Sequence, residues 1–295
     1  MTDKVEVVVD GQNNLGEGPV WNEQDQSIYW VDCLGSRLFA LPSGGGKMRS
    51  WDLGEYPGSY AFRTSQSGVI MAFRRGLAFV ELRDDGTCQV ERINDPIVDL
   101  DRGRFNDGAC DRKGRFWTGQ MDRHRKDPVG FLYRIDPDRS IYRMDGGIAS
   151  SNGIAFSPDS KTMYYTDTGP SVVYAYDYDL ENGINRNKRV FLDLSTGHSR
   201  PDGCTVDAEG CLWVAEVEGG RVGRYRPDGK LDRYIDLPVP KPTSVMFGGK
   251  DFDTLFITSM WMGLSADERK AHPLSGALFA VRPGVTGVSE PRFGG

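Results

Sequence analysis

Cysteine, histidine, long apolar runs and excess positive charge are all scarce in this 295-residue chain, and each scarcity excludes a class of protein. The five cysteines (Cys33, Cys88, Cys110, Cys204 and Cys211) are odd in number and show no Cys-x-x-Cys spacing. A disulfide framework is therefore not expected, and reduced, mostly buried thiols are. The three histidines (His124, His198 and His272) stand in no Gly-x-Ser-x-Gly or Cys–His context, which leaves no motif for a serine or cysteine nucleophile. A formal net charge of −6 speaks against a nucleic-acid partner, since such binding rests on a basic surface. No apolar run approaches the roughly 18 residues that would span a bilayer. The opening MTDKVEVVVDG lacks the continuous apolar core of a signal peptide, so no membrane partner and a cytoplasmic location are expected. The GGG run of LPSGGGKM is not followed by Lys-Ser/Thr and makes a poor phosphate loop.

What the chain has in abundance is repetition. A small-residue entry, a strand, a polar turn, an aromatic-rich second strand and a third strand recur six times, opening at Gly18, Ala61, Gly108, Gly153, Gly203 and Ser244. The second strands read SIYWVD, GVIMAF, RFWTGQ, TMYYTD, CLWVAE and TLFITS. Turns such as NEQDQ, DRKG, SPDSK and DAEG precede them, and 37 glycines suit a fold made of turns. A period of 40 to 50 residues signals radial or solenoid architecture. Six four-stranded antiparallel units make an all-β, six-bladed β-propeller, with residues 1–295 as one domain. The early VEVVVD has strand chemistry but precedes the first repeat, so it is expected to close the ring as the outermost strand of the last blade. The segment LSADERKA carries the one expected helical turn, an excursion within that blade. The terminal Gly-Gly reads as a flexible tail.

In a propeller every blade starts beside the axis, so residues just before each first strand project around one mouth of the central channel. Those residues are Glu17, Arg104, Asn106, Asp107, Asn152 and Asp202. Singly they are ordinary turn residues, since Asn-Gly and Asp-Gly are turn signals. Their common phase is informative: Glu17, Asn152 and Asp202 each stand immediately before the Gly of their repeat, and Asn106 one residue earlier. Two carboxylates and two amide oxygens form a hard, oxygen-rich set suited to one divalent ion, with calcium, magnesium and manganese ahead of zinc or iron. Two acids in a partly enclosed channel repel, and a cation is the simplest compensation. Pairing of Glu17 and Asp202 with Arg104, or with turn amides, is the alternative.

The motifs LGEGPVW, RFNDG, SNG-x-x-FSPD and PDG, in this order, resemble those of the sugar lactonase family that takes in senescence marker protein (regucalcin), gluconolactonase and luciferin-regenerating enzyme. The likeness runs over residues 6–281. It implies a six-bladed propeller with one divalent metal in its channel that hydrolyses aldonolactones. It further implies that Glu17, Asn152 and Asp202 hold the metal and that Arg104 and Asn106 contact substrate. With a metal polarising the carbonyl and acidifying a water, Asp202 is the best general base. Against the family pattern, QMDRHRK places His124 where animal members carry a glutamate that touches substrate. His124 is thus a candidate substrate contact, and Arg123, Arg125 and Arg200 a candidate basic rim for an anionic sugar lactone. Tyr60, Phe105 and Trp261 are weaker candidates for the pocket wall. An organophosphate hydrolase and a non-catalytic calcium-binding protein are the competing functions.

Overall fold

The computed structural model describes residues 4–64, 67–94, 96, 102–124 and 127–295. Strands within these residues pair into six four-stranded antiparallel sheets. Their innermost strands are Gly16–Asn22, Pro57–Phe62, Gly103–Cys110, Ser151–Phe156, Arg200–Val206 and Pro242–Gly248. Each packs against the inner strands of the blades before and after it, and the last packs against the first. The expected six-bladed β-propeller is therefore the observed fold.

Side chains that cap tight turns explain the repeated polar segments. In blade three the Asp111 carboxylate accepts from the backbone N–H groups of Lys113 and Arg115 (2.8 and 3.1 Å) and from the Trp117 indole at 3.3 Å. Asp207 does the same in blade five, taking the amides of Glu209 and Cys211 (3.0 and 2.9 Å) and the Trp213 indole at 2.9 Å. Ser157 fills the position in blade four, where its hydroxyl accepts from Thr162 N at 2.9 Å. Such Asx- and Ser-type turns satisfy amides that no ladder reaches. The indole bonds then seat Trp117 and Trp213, both fully buried, whereas Trp30 of blade one is buried without such a bond.

Apolar clusters lie between blades as well as within them. Tyr29, Val31 and Trp51 of blade one pack with Phe62, Val69 and Met71 of blade two. At the seam, Trp21, Ile28 and Trp30 of blade one meet Phe256 and Leu278 of blade six. The strand Glu6–Val9 lies outermost on blade six, with Glu6 opposite Ala280 and Val7 opposite Phe279. This is the expected closure, and it ties the two ends of the described chain into one sheet. Helix Ala266–Ala271 sits between the second and third strands of that blade and is capped by a reciprocal Ser265–Glu268 box, as ADERKA following Ser predicts.

Two expectations are corrected. The inner strands start two to five residues before the repeat openings read from sequence, because a bulge interrupts each of them early. The terminal Gly-Gly is no loose tail: Gly294 N donates to Gly114 O (2.9 Å), Arg63 Nε donates to Gly295 O (3.0 Å), and Phe293 between them and the core is fully buried.

Candidate functional site

All six bulges fall at the same phase of the inner strand, between Glu17 and Val20, Pro57 and Ser59, Phe105 and Gly108, Ser151 and Ile154, Pro201 and Cys204, and Pro242 and Val245. A bulge breaks the strict alternation of a strand and re-aims side chains, which is why it recurs beside functional sites. Residues up to the bulge line one cavity of the channel, residues after it line another, and the bulge residues themselves are divided between the two. The glycine that follows each candidate residue is set by crowding at the axis. A Cβ on Gly153 would come 2.7 Å from Asp202 O, and Gly18 has a φ of +52° that a side chain disfavours.

The first cavity, about 730 Å³ with the solvent at its mouth, is walled by Glu17, Arg104, Asn106, Asn152, Arg200 and Asp202 among others. Sequence-distant residues from blades one, three, four and five thus converge as expected. Asn152 and Asp202 are buried, at 7% and 6% exposure. Desolvation in the channel, with the carboxylates of Asp202 and Asp107 next, pushes the Glu17 carboxyl well above the ordinary carboxylate range, while Gly18 N–H and Arg104 pull the other way. The two acids therefore strain against one another in the bare protein.

A chain of hydrogen bonds fixes the amides. Arg104 Nη1 donates to Asn106 Oδ1 at 2.5 Å, and Asn106 Nδ2 donates to Ser151 O at 2.7 Å and to Asn152 Oδ1. Asn152 Nδ2 donates to Thr168 Oγ1 at 2.6 Å, which in turn donates to Pro201 O at 2.7 Å. Asn152 Oδ1 keeps a second lone pair for the cavity. The oxygen of Asn106 likewise accepts one bond, from Arg104, and its amide N–H groups orient Asn152 across the blade boundary. Arg104 itself is steadied by the Tyr56 ring, 4.7 Å below its guanidinium carbon.

The chemistry of this donor set fits a hard divalent cation: two carboxylates and an oriented amide oxygen on three blades, with room for further oxygen ligands. Among the described residues no group of three or more His, Cys, Asp or Glu is arranged for a metal. Any cation in this cavity would then depend on the amide oxygen as much as on the acids.

Other expectations fare differently. Asp107 lines the second cavity rather than the shared mouth: it shares the bulge between Phe105 and Gly108 with Asn106, and the two successive residues face opposite cavities. The Asp107 carboxylate accepts from Gly108 N at 2.8 Å, and burial raises it to about 6. Arg200 does line the site cavity, paired with Glu218 at 3.4 Å. Arg123 and His124 do not; they lie on the turn after strand Phe116–Asp122, His124 exposed, with only Met121 of that stretch reaching the wall. Arg125 lies outside the described residues. Tyr60 lines the second cavity, Phe105 is fully buried, and Trp261 is absent from the site wall. Sequence reading missed Tyr56, Thr168 and Lys241. Lys241 stands just before inner strand Pro242–Gly248, two residues ahead of the phase that marked Glu17, Asn152 and Asp202, so the pattern before glycine does not select it.

Comparison with known proteins follows the geometry. The family described as SMP-30/Gluconolactonase/LRE-like region matches residues 15–261. The chain is 39% identical to 6-deoxy-6-sulfogluconolactonase of Pseudomonas putida, with 100% of both chains covered. It is 34% identical to regucalcin of Xenopus laevis, with 99% of each covered. The solved structure of a calcium-binding protein, regucalcin, from Agrobacterium tumefaciens str. C58 superposes with a TM-score of 0.93 at 28% identity, covering 99% of this chain and 98% of that one.

Proposed function

The chain belongs to the SMP-30/gluconolactonase/LRE-like family, and from that premise we propose that it hydrolyses a sugar lactone to the sugar acid, using water and one divalent metal ion. The observation that carries this reading is the meeting of Glu17, Asn152 and Asp202 from three blades in one cavity. The lactonase names of relatives aligned over nearly the whole chain support the reaction class. The regucalcin described as calcium-binding supports the divalent ion.

Glu17, Asn152 and Asp202 would hold the ion, which when bound polarises the lactone carbonyl and acidifies water. Asp202 is the general base: it takes the proton of the attacking water as the water oxygen bonds to the carbonyl carbon. The same proton then goes to the ring oxygen as the C–O bond breaks, so the acid product forms with no external reagent. Arg104, anchored on Asn106 and Tyr56, presents its remaining N–H groups to ring hydroxyls or to the oxyanion. Asn106 positions Asn152 and shares the substrate wall. The substrate is a small sugar lactone, and the name 6-deoxy-6-sulfogluconolactonase on a 39% identical relative supports one that carries an anionic group. A cytoplasmic setting belongs to the same reading, since the five cysteines are unpaired thiols.

The test is proton release from a panel of sugar lactones before and after chelation. Turnover that needs added divalent metal is expected. Metal binding without turnover of any lactone would favour a non-catalytic binding protein and contradict the proposal.

A further inference from the structure

With a divalent ion bound, the site cavity would carry net positive charge: its lining holds three acids (Glu17, Asp202 and Glu218) and three cations (Arg104, Arg200 and Lys241) before the ion is added. Glu17 and Asp202 would be matched by a divalent cation, and Arg200 is already paired with Glu218. Arg104 and Lys241 remain. Arg104 leans on Asn106 and Tyr56. The Lys241 ammonium donates to Met262 O at 3.2 Å, and among the described residues no carboxylate comes within 4.0 Å of it.

Its surroundings are built to hold it. Lys241 O accepts from Met260 N at 3.1 Å, Leu15 bridges Met260, and Met262 N donates to Asn14 O at 3.0 Å, so blade one and blade six clamp the segment. Gly263, with φ +74°, leaves the space the ammonium occupies: a Cβ there would stand 3.2 Å from Nζ. A three-donor ammonium with one backbone acceptor, fixed in the wall of a substrate cavity, retains donors for an anion.

We propose that Lys241 is the specificity-determining residue of this cavity, gripping an anionic substituent (sulfonate, phosphate or carboxylate) on the lactone. The assignment rests on the lactonase reading, and it adds to the candidate basic rim a cation on the turn that enters blade six. Because the substituent does not react, its grip acts on ground state and transition state alike, and its loss appears in KM more than in kcat.

The experiment compares kcat/KM for a neutral sugar lactone and for the same lactone bearing a sulfonate, in the unmodified chain, Lys241→Ala and Lys241→Arg, with melting curves to confirm folding. The ratio of sulfonated to neutral kcat/KM is expected to fall about ten- to a hundredfold in Lys241→Ala, the size of a lost charge-assisted hydrogen bond. Lys241→Arg should recover part of it. A ratio that Lys241→Ala leaves unchanged, or an unmodified chain that does not prefer the sulfonated lactone, overturns the assignment while the lactonase reading stands. If neither lactone is turned over, that reading fails instead. Calorimetric binding of the open-chain sugar sulfonate then decides on Lys241 alone: weaker binding to Lys241→Ala supports it, and equal binding overturns it.

Discussion

The two ends of the channel are made by the same six strands and could hardly differ more. One end gathers Glu17, Arg104, Asn106, Asn152, Asp202 and Lys241. The other is walled by Gly18, Ser59, Ala61, Ala109, Ile154 and Ala155, with Glu23, Asp107 and Glu290 as its acids, and the segment around Glu290 folds across it. Neighbours in sequence are sent to opposite ends: Glu17 and Gly18, Asn106 and Asp107. The bulge makes the division, since it separates the irregular entry of each strand from its regular remainder. The proposed metal ligands come from the irregular entries of the strands, and packing dominates where the ladder is intact.

Chelation is the harshest way to break this contrast. Removing divalent metal should abolish lactone turnover, and adding it back should restore activity and raise the melting temperature, by the equivalent of about 2.7 kcal/mol at a hundredfold excess over Kd. Full activity of the metal-free chain would leave the acidic end without its assigned role.

Exchanging one acid at each end sharpens the comparison. Asp202→Asn should keep the fold and lower kcat by at least about 100-fold. Asp107→Asn, across the bulge, should leave kcat close to that of the unmodified chain. Equal losses in steady-state assays would show that the two ends act as one site.

The far end has its own signature in stability. Burial raises the Glu290 carboxyl from its ordinary 4.5 to about 7, with Asp107 adding to the rise and Arg112 opposing it. Between those pH values the folded chain keeps a proton that the unfolded chain has released. The contribution to stability is thus complete below about pH 4.5 and is lost as pH rises through about 7. Glu290→Gln should flatten this slope and gain at most about 3 kcal/mol at pH 8, a ceiling because the residue is not wholly shielded from water. Denaturant melts at pH 5 and pH 8 read the difference, and an unchanged slope would remove Glu290 from the buried chamber.

The smallest expected effect concerns neither end. Deleting residues 1–9 strips the outer strand from blade six, where Val8 and Val9 pack on the seam cluster. A loss of about 2 kcal/mol, or about 4–8 °C in Tm, is expected from the apolar surface exposed. A calorimetric scan that does not move would show that the ring closes without this strand.

Much of this was legible in the chain itself, for reasons that differ by region. Second strands announced themselves because each pairs a capped polar turn with buried aromatics, as in DRKGRFW and DAEGCLW. Fourth strands did not, because they are solvent-washed edges: in Ile184–Asp193 only Leu192 is buried. Glu17, Asn152 and Asp202 were found through their shared phase before glycine, a consequence of crowding at the axis. Strand starts were misplaced because a bulge has no residue signature of its own, and Asp107 was assigned to the wrong end for the same reason. Arg123 and His124 were selected by charge and by offset from a family pattern, neither of which encodes where a turn points. Tyr56 and Lys241 stand just outside their inner strands, off the phase before glycine, and carry a ring and an ammonium rather than a metal-ligating oxygen.

Whether one divalent ion sits among Glu17, Asn152 and Asp202 is read from crystals grown with manganese and measured for its anomalous scattering. A single strong peak within about 2.0–2.6 Å of oxygens from all three side chains is expected. A peak at Asp107 and Glu290 instead, or none within the channel, would contradict the proposed metal site.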